Sequence, residues 1–199
     1  MKAVFLDRDG TIGGTGGGVH PFEFELYEFA FGAIRSLNEL GIKVFLFTNQ
    51  TRVGRGYFTE EELIRRFELM KDELKGQSAF IDDIFYCHHH PEVGCECQKP
   101  GIGLLLRAKE KYNLRLEDCY VVGDTGSSDM AAAHLAGAKK VLVKTGWGES
   151  SLTKYRESWA GIEPDFIAED LREAAAWIGG DLMDVSGKEG ADDLYTGEF

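Results

Sequence analysis

A chain of 199 residues, 43% hydrophobic and 28% charged, is long enough to bury a full core as one domain and has the composition of a soluble globular enzyme. Its net charge of -12 argues against a nucleic-acid partner held on a broad basic surface, but leaves room for an anionic small molecule at a site with its own cations. Apolar runs such as 44–47 fall far short of the roughly 20 residues a membrane span needs, and the N-terminus leads straight into a strand pattern without a signal peptide. The expected setting is therefore the cytoplasm and the default state a monomer, with the four cysteines serving as thiols or metal ligands rather than disulfides.

In chain order, residues 2–7 form a short apolar run ending in acids and predict a first strand. Residues 28–40 carry Phe31, Ile34, Leu37 and Leu40 on a helix that Gly41 stops. A second strand, 42–48, runs into Thr-Asn-Gln. The helix over 59–75 opens on a capping-box pattern, Thr59 with Glu62, and a hydrophobic staple, Phe58 with Leu63; Leu63, Phe67, Met70 and Leu74 then make one apolar face. Strands at 83–87, 119–124 and 141–145, and a weaker one at 165–168, alternate with helices at 102–112, 129–136 and 169–178. The strands are apolar without strict alternation, the pattern of parallel strands covered on both faces. The expectation is an α/β fold, a doubly wound Rossmann-like parallel sheet over residues 1–179, followed by a disordered acidic, glycine-rich tail over 180–199. In such sheets ligands bind beyond the carboxyl ends of the strands, where Asp7, Thr48, Cys87 and Asp124 fall.

The segment Asp7-Arg8-Asp9-Gly10-Thr11 places two carboxylates on one side of an extended strand end. Like charges buried together require a cation or a shared proton. One carboxylate can attack phosphorus to form an acyl-phosphate, the other can protonate the leaving alkoxide and then activate water, and a metal ion can hold nucleophile and phosphate together. Three further segments extend the pattern. Thr48-Asn49-Gln50 offers a hydroxyl and backbone N–H groups for phosphate oxygens, Lys99-Pro100 a cation for transferring charge, and Asp124 with Asp129 carboxylates suited to Mg²⁺.

Together these four segments resemble the motifs of the haloacid dehalogenase (HAD) superfamily over roughly residues 2–147. The resemblance implies an Mg²⁺-dependent phosphatase in which Asp7 is the nucleophile and Asp9 the general acid and base. Thr48 and Lys99 would stabilise the phosphoryl group. Asp7, the Asp9 carbonyl and Asp124 would bind Mg²⁺, with Asp129 as a further acid near the metal. The gaps after the first and second motifs leave no room for a large cap domain.

A second cluster lies just ahead of Lys99. Cys87-His88-His89-His90-Pro91 leads to Cys95-Glu96-Cys97, and soft thiolates with an imidazole at this spacing suit tetrahedral Zn²⁺. The expected ligands are Cys87, His89, Cys95 and Cys97, a closed and hence structural site; Cys119, inside a strand, reads as a core residue. This loop, with Gly54-x-Gly56-Tyr57-Phe58-Thr59, resembles the heptose-bisphosphate phosphatases and the related histidinol-phosphate phosphatases. The resemblance implies a small phosphorylated metabolite as partner, D-glycero-D-manno-heptose 1,7-bisphosphate first and histidinol phosphate as the alternative. Substrate contacts are expected from Thr48, Asn49, Gln50, Thr51, Gln98 and Lys99, and from the region 16–20. Gln98 stands where the heptose group carries an arginine, and 13–18 is richer in glycine than in that group. A zinc-stabilised binding protein without turnover is the non-enzymatic alternative.

Overall fold

The apolar runs become six parallel strands: β1 (Ala3–Leu6), β2 (Lys43–Asn49), β3 (Asp83–Cys87), β4 (Tyr120–Gly123), β5 (Lys139–Val143) and β6 (Phe166–Ala168). They form one sheet in the order β3-β2-β1-β4-β5-β6. The structure, a computed structural model, describes residues 1–192, with side chains described as far as residue 183. β1 is central, pairing Leu6 with Leu46 on one side and with Val122 on the other. The strand order reverses at β1, and the ends of β1, β2 and β4 open the crevice that such sheets use for ligands.

Alternation along β1 divides the core. Val4 and Leu6 face a layer that includes Ile34 and Leu37 of α1 (Glu28–Glu39), Leu63 and Phe67 of α2 (Glu60–Gly76), and Leu171 and Ile178 of α6 (Leu171–Asp192). Ala3 and Phe5 face the other layer, with Leu104 and Leu105 of α3 (Gly103–Tyr112) and Ala132 and Ala133 of α4 (Ala131–Ala136). Burial on both faces explains why the strands lack polar alternation. The capping box forms as expected: Thr59 Oγ1 accepts from Glu62 N at 3.2 Å, while Glu62 Oε2 accepts from Thr59 N at 2.8 Å. Phe58 and Leu63, the staple pair, are both buried.

Three differences from the sequence reading concern helices. The helix expected from residue 129 is preceded by a π-helical turn, Gly126–Met130, which turns the Asp129 carboxylate back toward β4; a wider turn of this kind leaves no mark in hydrophobic period. A short helix, α5 (Gly148–Leu152), had no periodicity to announce it. The last helix runs through Asp192 instead of giving way to a disordered tail at residue 180, so 180–192 are helical and 193–199 lie outside the described residues. The start of that extension is held by side chains: Asp181 accepts from Tyr120 Oη at 2.5 Å and pairs with Lys139, and Leu182 packs on the core. Between β1 and α1 there is one 3-10 turn, Pro21–Glu23, and no inserted domain. No helix among the described residues is long and apolar enough to cross a membrane.

Candidate active site

The end of β1 delivers Asp7 to the crevice, its N–H continuing the sheet by donating to Val122 O at 2.9 Å. Lys99 reaches across from the loop before α3. Its Nζ donates to Asp7 Oδ1 at 2.7 Å, to Asp129 Oδ1 at 2.6 Å and to Phe47 O at 2.8 Å. The backbone of Lys99 is fixed by Asn49, whose side-chain Oδ1 accepts from Lys99 N at 2.9 Å and whose Nδ2 donates to Lys99 O at 3.2 Å. The Thr-Asn-Gln segment thus sets the position of the lysine 50 residues away. Gln50 does the same for the acid pair, donating from Nε2 to Asp9 Oδ2 at 3.0 Å and to Thr48 Oγ1 at 2.9 Å. Arg8 grips Asp9 from the other side with two bonds of 3.0 Å, its guanidinium buried over the Phe24 ring.

Asp124 follows β4. Its Oδ1 accepts from Thr125 Oγ1 at 2.9 Å and its Oδ2 from Trp147 N at 2.8 Å. Asp129 Oδ2 accepts from Thr125 N at 3.0 Å. Carboxylate oxygens of Asp7, Asp124 and Asp129 lie within 4.8 Å of one another, and all three residues are buried. Asp7 and Asp124 border a cavity of about 170 Å³ that Asp9, Gly16, Gly18, Thr48, Asn49, Lys99, Thr125 and Ser128 also line.

The charges explain each other. Burial is the main force pushing the Asp7 carboxyl up to about 7, with Lys99 opposing it and Asp129 and Asp9 adding to it. Burial likewise pushes Asp124 up to about 8, with Asp7 and Asp129 contributing. Burial works against the Lys99 charge, yet Asp129 and Asp7 outweigh it and hold the ammonium protonated. One cation thus faces several buried acids, a surplus of negative charge that a divalent ion would offset. Hard oxygen donors in this number suit Mg²⁺.

The cysteine–histidine loop converges as the sequence suggests. The Cys97 sulfur lies 3.3 Å from those of Cys87 and Cys95 and 3.1 Å from His89 Nδ1; Cys87 lies 3.5 Å from Cys95 and 3.7 Å from His89 Nδ1. A tetrahedron with Zn–S of about 2.3 Å and Zn–N of about 2.0 Å has edges near these lengths, so the four residues fit Zn²⁺. The loop packs closely on the Thr-Asn-Gln turn: a methyl group on Gly54 would come within 2.1 Å of His90 N.

Of the residues the sequence singled out, Asp7, Asp9, Thr48, Asn49, Lys99 and Asp124 line the cavity, and Asp129 stands behind Lys99. Gln50 is buried under Asp9, and neither Thr51 nor Gln98 is part of the lining. Sequence reasoning missed the grip of Arg8, the Trp147 N–H on Asp124, and Thr125. Arg8 and Thr125 were flagged only by adjacency to the two motif acids; the Trp147 contact uses a backbone group and carries no side-chain signal.

Residues 96–174 match the HAD-hydrolase-like family model. A D-glycero-beta-D-manno-heptose-1,7-bisphosphate 7-phosphatase from Yersinia pestis is 40% identical over 155 residues, 73% of this chain and 82% of its own. The enzyme of that name from Vibrio cholerae is 37% identical over 174 residues, 83% of this chain and 91% of its own. The chain belongs to the HAD-like hydrolases and is a phosphatase of that family. Among solved structures it is similar to a D,D-heptose 1,7-bisphosphate phosphatase from B. bronchiseptica complexed with magnesium and phosphate, with a TM-score of 0.83 and 32% identity, covering 91% of this chain and 99% of that one. A Burkholderia thailandensis phosphatase of the same description has a TM-score of 0.68 at 28% identity, covering 88% and 97%.

Proposed function

We propose that this phosphatase works through an aspartyl-phosphate on Asp7 with Mg²⁺, and that its substrate is D-glycero-D-manno-heptose 1,7-bisphosphate. The observation that carries the mechanism is the contact of Lys99 Nζ with both Asp7 and Asp129, inside a group of three buried acids. The names of the similar proteins support the substrate.

In the first step the Asp7 carboxylate forms a bond to phosphorus while the ester P–O bond breaks, and Asp9 gives its proton to the departing alkoxide. Lys99 and the Thr48 hydroxyl offset the charge on the phosphoryl oxygens. In the second step Asp9 takes a proton from water as that water's oxygen bonds to phosphorus, and the P–O bond to Asp7 breaks to release phosphate. Arg8 and Gln50 hold Asp9 in place through both steps. Bound to Asp7, Asp124 and the Asp9 carbonyl, Mg²⁺ would lower the repulsion between the anionic nucleophile and the phosphate. Zn²⁺ on Cys87, His89, Cys95 and Cys97 would be structural, fixing the loop that leads into Lys99. Unpaired thiols in that cluster favour a reducing compartment such as the cytoplasm.

The test is phosphate release with Mg²⁺ from both anomers of heptose 1,7-bisphosphate, fructose 1,6-bisphosphate and histidinol phosphate. A kcat/KM preference of about 100-fold, roughly 2.7 kcal/mol, for a heptose anomer is expected. Flat activity across the panel would retain the chemistry and reject the substrate.

A further inference from the structure

We infer that Arg52 is the cation that receives the second, non-reacting phosphate of the substrate. The inference rests on a bisphosphate being the substrate, and it begins from a shortage. All three Lys99 donor directions are taken, by Asp7, Asp129 and the Phe47 carbonyl, all within 2.8 Å. Arg8 is buried on Asp9, and Gln98 is neutral and outside the cavity lining. A bisphosphate whose reacting end lies at Asp7 would find no free cation for its far end inside the cavity, in a chain whose net charge of -12 already repels it.

Arg52 fills that gap at the rim. It sits in the turn two residues beyond Gln50, exposed, and has no ion-pair partner among the described residues. Its side chain lies flat against Gly18, so that a methyl group on Gly18 would come within 2.8 Å of Arg52 Nε. Gly18 itself lines the cavity with Asp7, Thr48 and Lys99. The absence of a side chain at residue 18 is therefore what lets the guanidinium lie beside the mouth. Its orientation is set from behind by Tyr57, with the guanidinium carbon 5.2 Å from the ring centroid. A planar fork held over an aromatic ring, with no hydrogen-bond or carboxylate partner for its guanidinium among the described residues, is suited to a phosphate dianion, which it can bind through two parallel N–H donors. The far phosphate makes the same contact before and during reaction, so the effect belongs in KM.

The experiment measures kcat and KM of wild type, Arg52→Gln and Arg52→Lys on heptose 1,7-bisphosphate and on heptose 7-phosphate, which has the same reacting end and no second phosphate. Arg52→Gln should lower kcat/KM on the bisphosphate by about 10- to 100-fold, mostly through KM, the scale of one charge-assisted contact. On the monophosphate it should change less than about 3-fold, and Arg52→Lys should fall between on the bisphosphate. Arg65→Gln, which removes an equal charge from the exposed side of α2, should affect neither. Equal losses on both substrates, or no loss on the bisphosphate, would overturn the inference. Fructose 1,6-bisphosphate and fructose 6-phosphate, run in parallel, separate this from the substrate reading. A wild type that ignores the heptose but shows the selective Arg52 loss on the fructose pair rejects the heptose and keeps Arg52. A wild type that prefers neither bisphosphate over its monophosphate rejects both.

Discussion

Two clusters of ligand atoms lie within one loop's length of each other, and each gathers its atoms within 4.8 Å. They differ in how their charge is balanced. The acid cluster around Asp7 is buried with a permanent counter-ion: Lys99 neutralises part of it whether or not a metal is present. The thiol cluster has no lysine or arginine hydrogen-bonded to it among the described residues, the Arg107 charge acting on Cys97 only at a distance, and burial favours the protonated thiol at Cys87 and Cys97. Burial pushes the Cys87 thiol up to about 12 and raises Cys97; for Cys95 burial also pulls upward, but hydrogen bonds from Cys97 and Cys87 prevail and lower it. A reactive site must accept and release an anion repeatedly, so its charge is partly balanced by a fixed group. A structural site needs to be filled once, and metal binding there releases protons and contributes directly to folding.

The sharpest way to separate the clusters is to damage each and read activity and stability together. Asp7→Asn should lower kcat by about 10⁴-fold or more, because no other group takes over the covalent step. Its Tm should stay within about 2 °C of wild type, equivalent to less than about 1 kcal/mol, since Lys99 keeps Asp129 and the like-charge crowding falls. A variant with near-normal turnover would remove Asp7 from the mechanism. Cys97→Ser should do the reverse in emphasis: zinc content, read by elemental analysis, falls from about one per chain, and Tm drops by about 6–12 °C. That corresponds to roughly 3 kcal/mol, a modest share of the 10–16 kcal/mol apparent binding energy of structural zinc sites. Loss of activity should follow only as the Lys99 loop loosens; an unchanged Tm and metal content would end the structural-zinc reading.

The smallest effect is in pH. Asp7 and Asp124 have folded-state pKa values raised to about 7 and about 8, above their unfolded values near 4, so the folded protein binds the extra protons. Their contribution to stability is fully present below about pH 4 and is lost as pH rises through 7 to 8. Protein freed of divalent ions at the acid site should therefore lose Tm across that window, more than Asp124→Asn does, and Mg²⁺ should restore it at the alkaline end. A wild-type curve parallel to that of Asp124→Asn would show that the acid cluster does not titrate as described.

Much of this site was legible because the chemistry sits at strand ends. Asp7, Thr48 and Asp124 each close an apolar run, and parallel-sheet topology alone brings such ends together. The four residues that fit Zn²⁺ were legible because residue type and spacing overlap in one short loop. What could not be read is how side chains of the same motif divide their work. Asn49 and Gln50 belong to a segment expected to face phosphate, yet Asn49 clamps the Lys99 backbone and Gln50 braces Asp9. Nothing in a linear sequence tells an amide that meets substrate from one that meets a residue 50 positions away. Composition misled at the C-terminus, where an acidic, glycine-rich stretch from residue 180 suggested a disordered tail, because the Asp181 contacts with Tyr120 and Lys139 depend on tertiary neighbours.

The glycines on either side of Asp124 limit how this enzyme can change. A methyl group on Gly10, whose φ is +86°, would lie 2.0 Å from Asp124 Oδ2, and one on Gly146 would lie 2.2 Å from the same atom. Both positions are closed to any larger residue, although neither contributes a functional group. Evolutionary drift in substrate preference is thereby pushed outward, to the turn carrying Arg52, where an exposed side chain can be exchanged without disturbing the acids beneath. The hydrolytic chemistry and the choice of what to hydrolyse can then evolve at separate rates within one small domain.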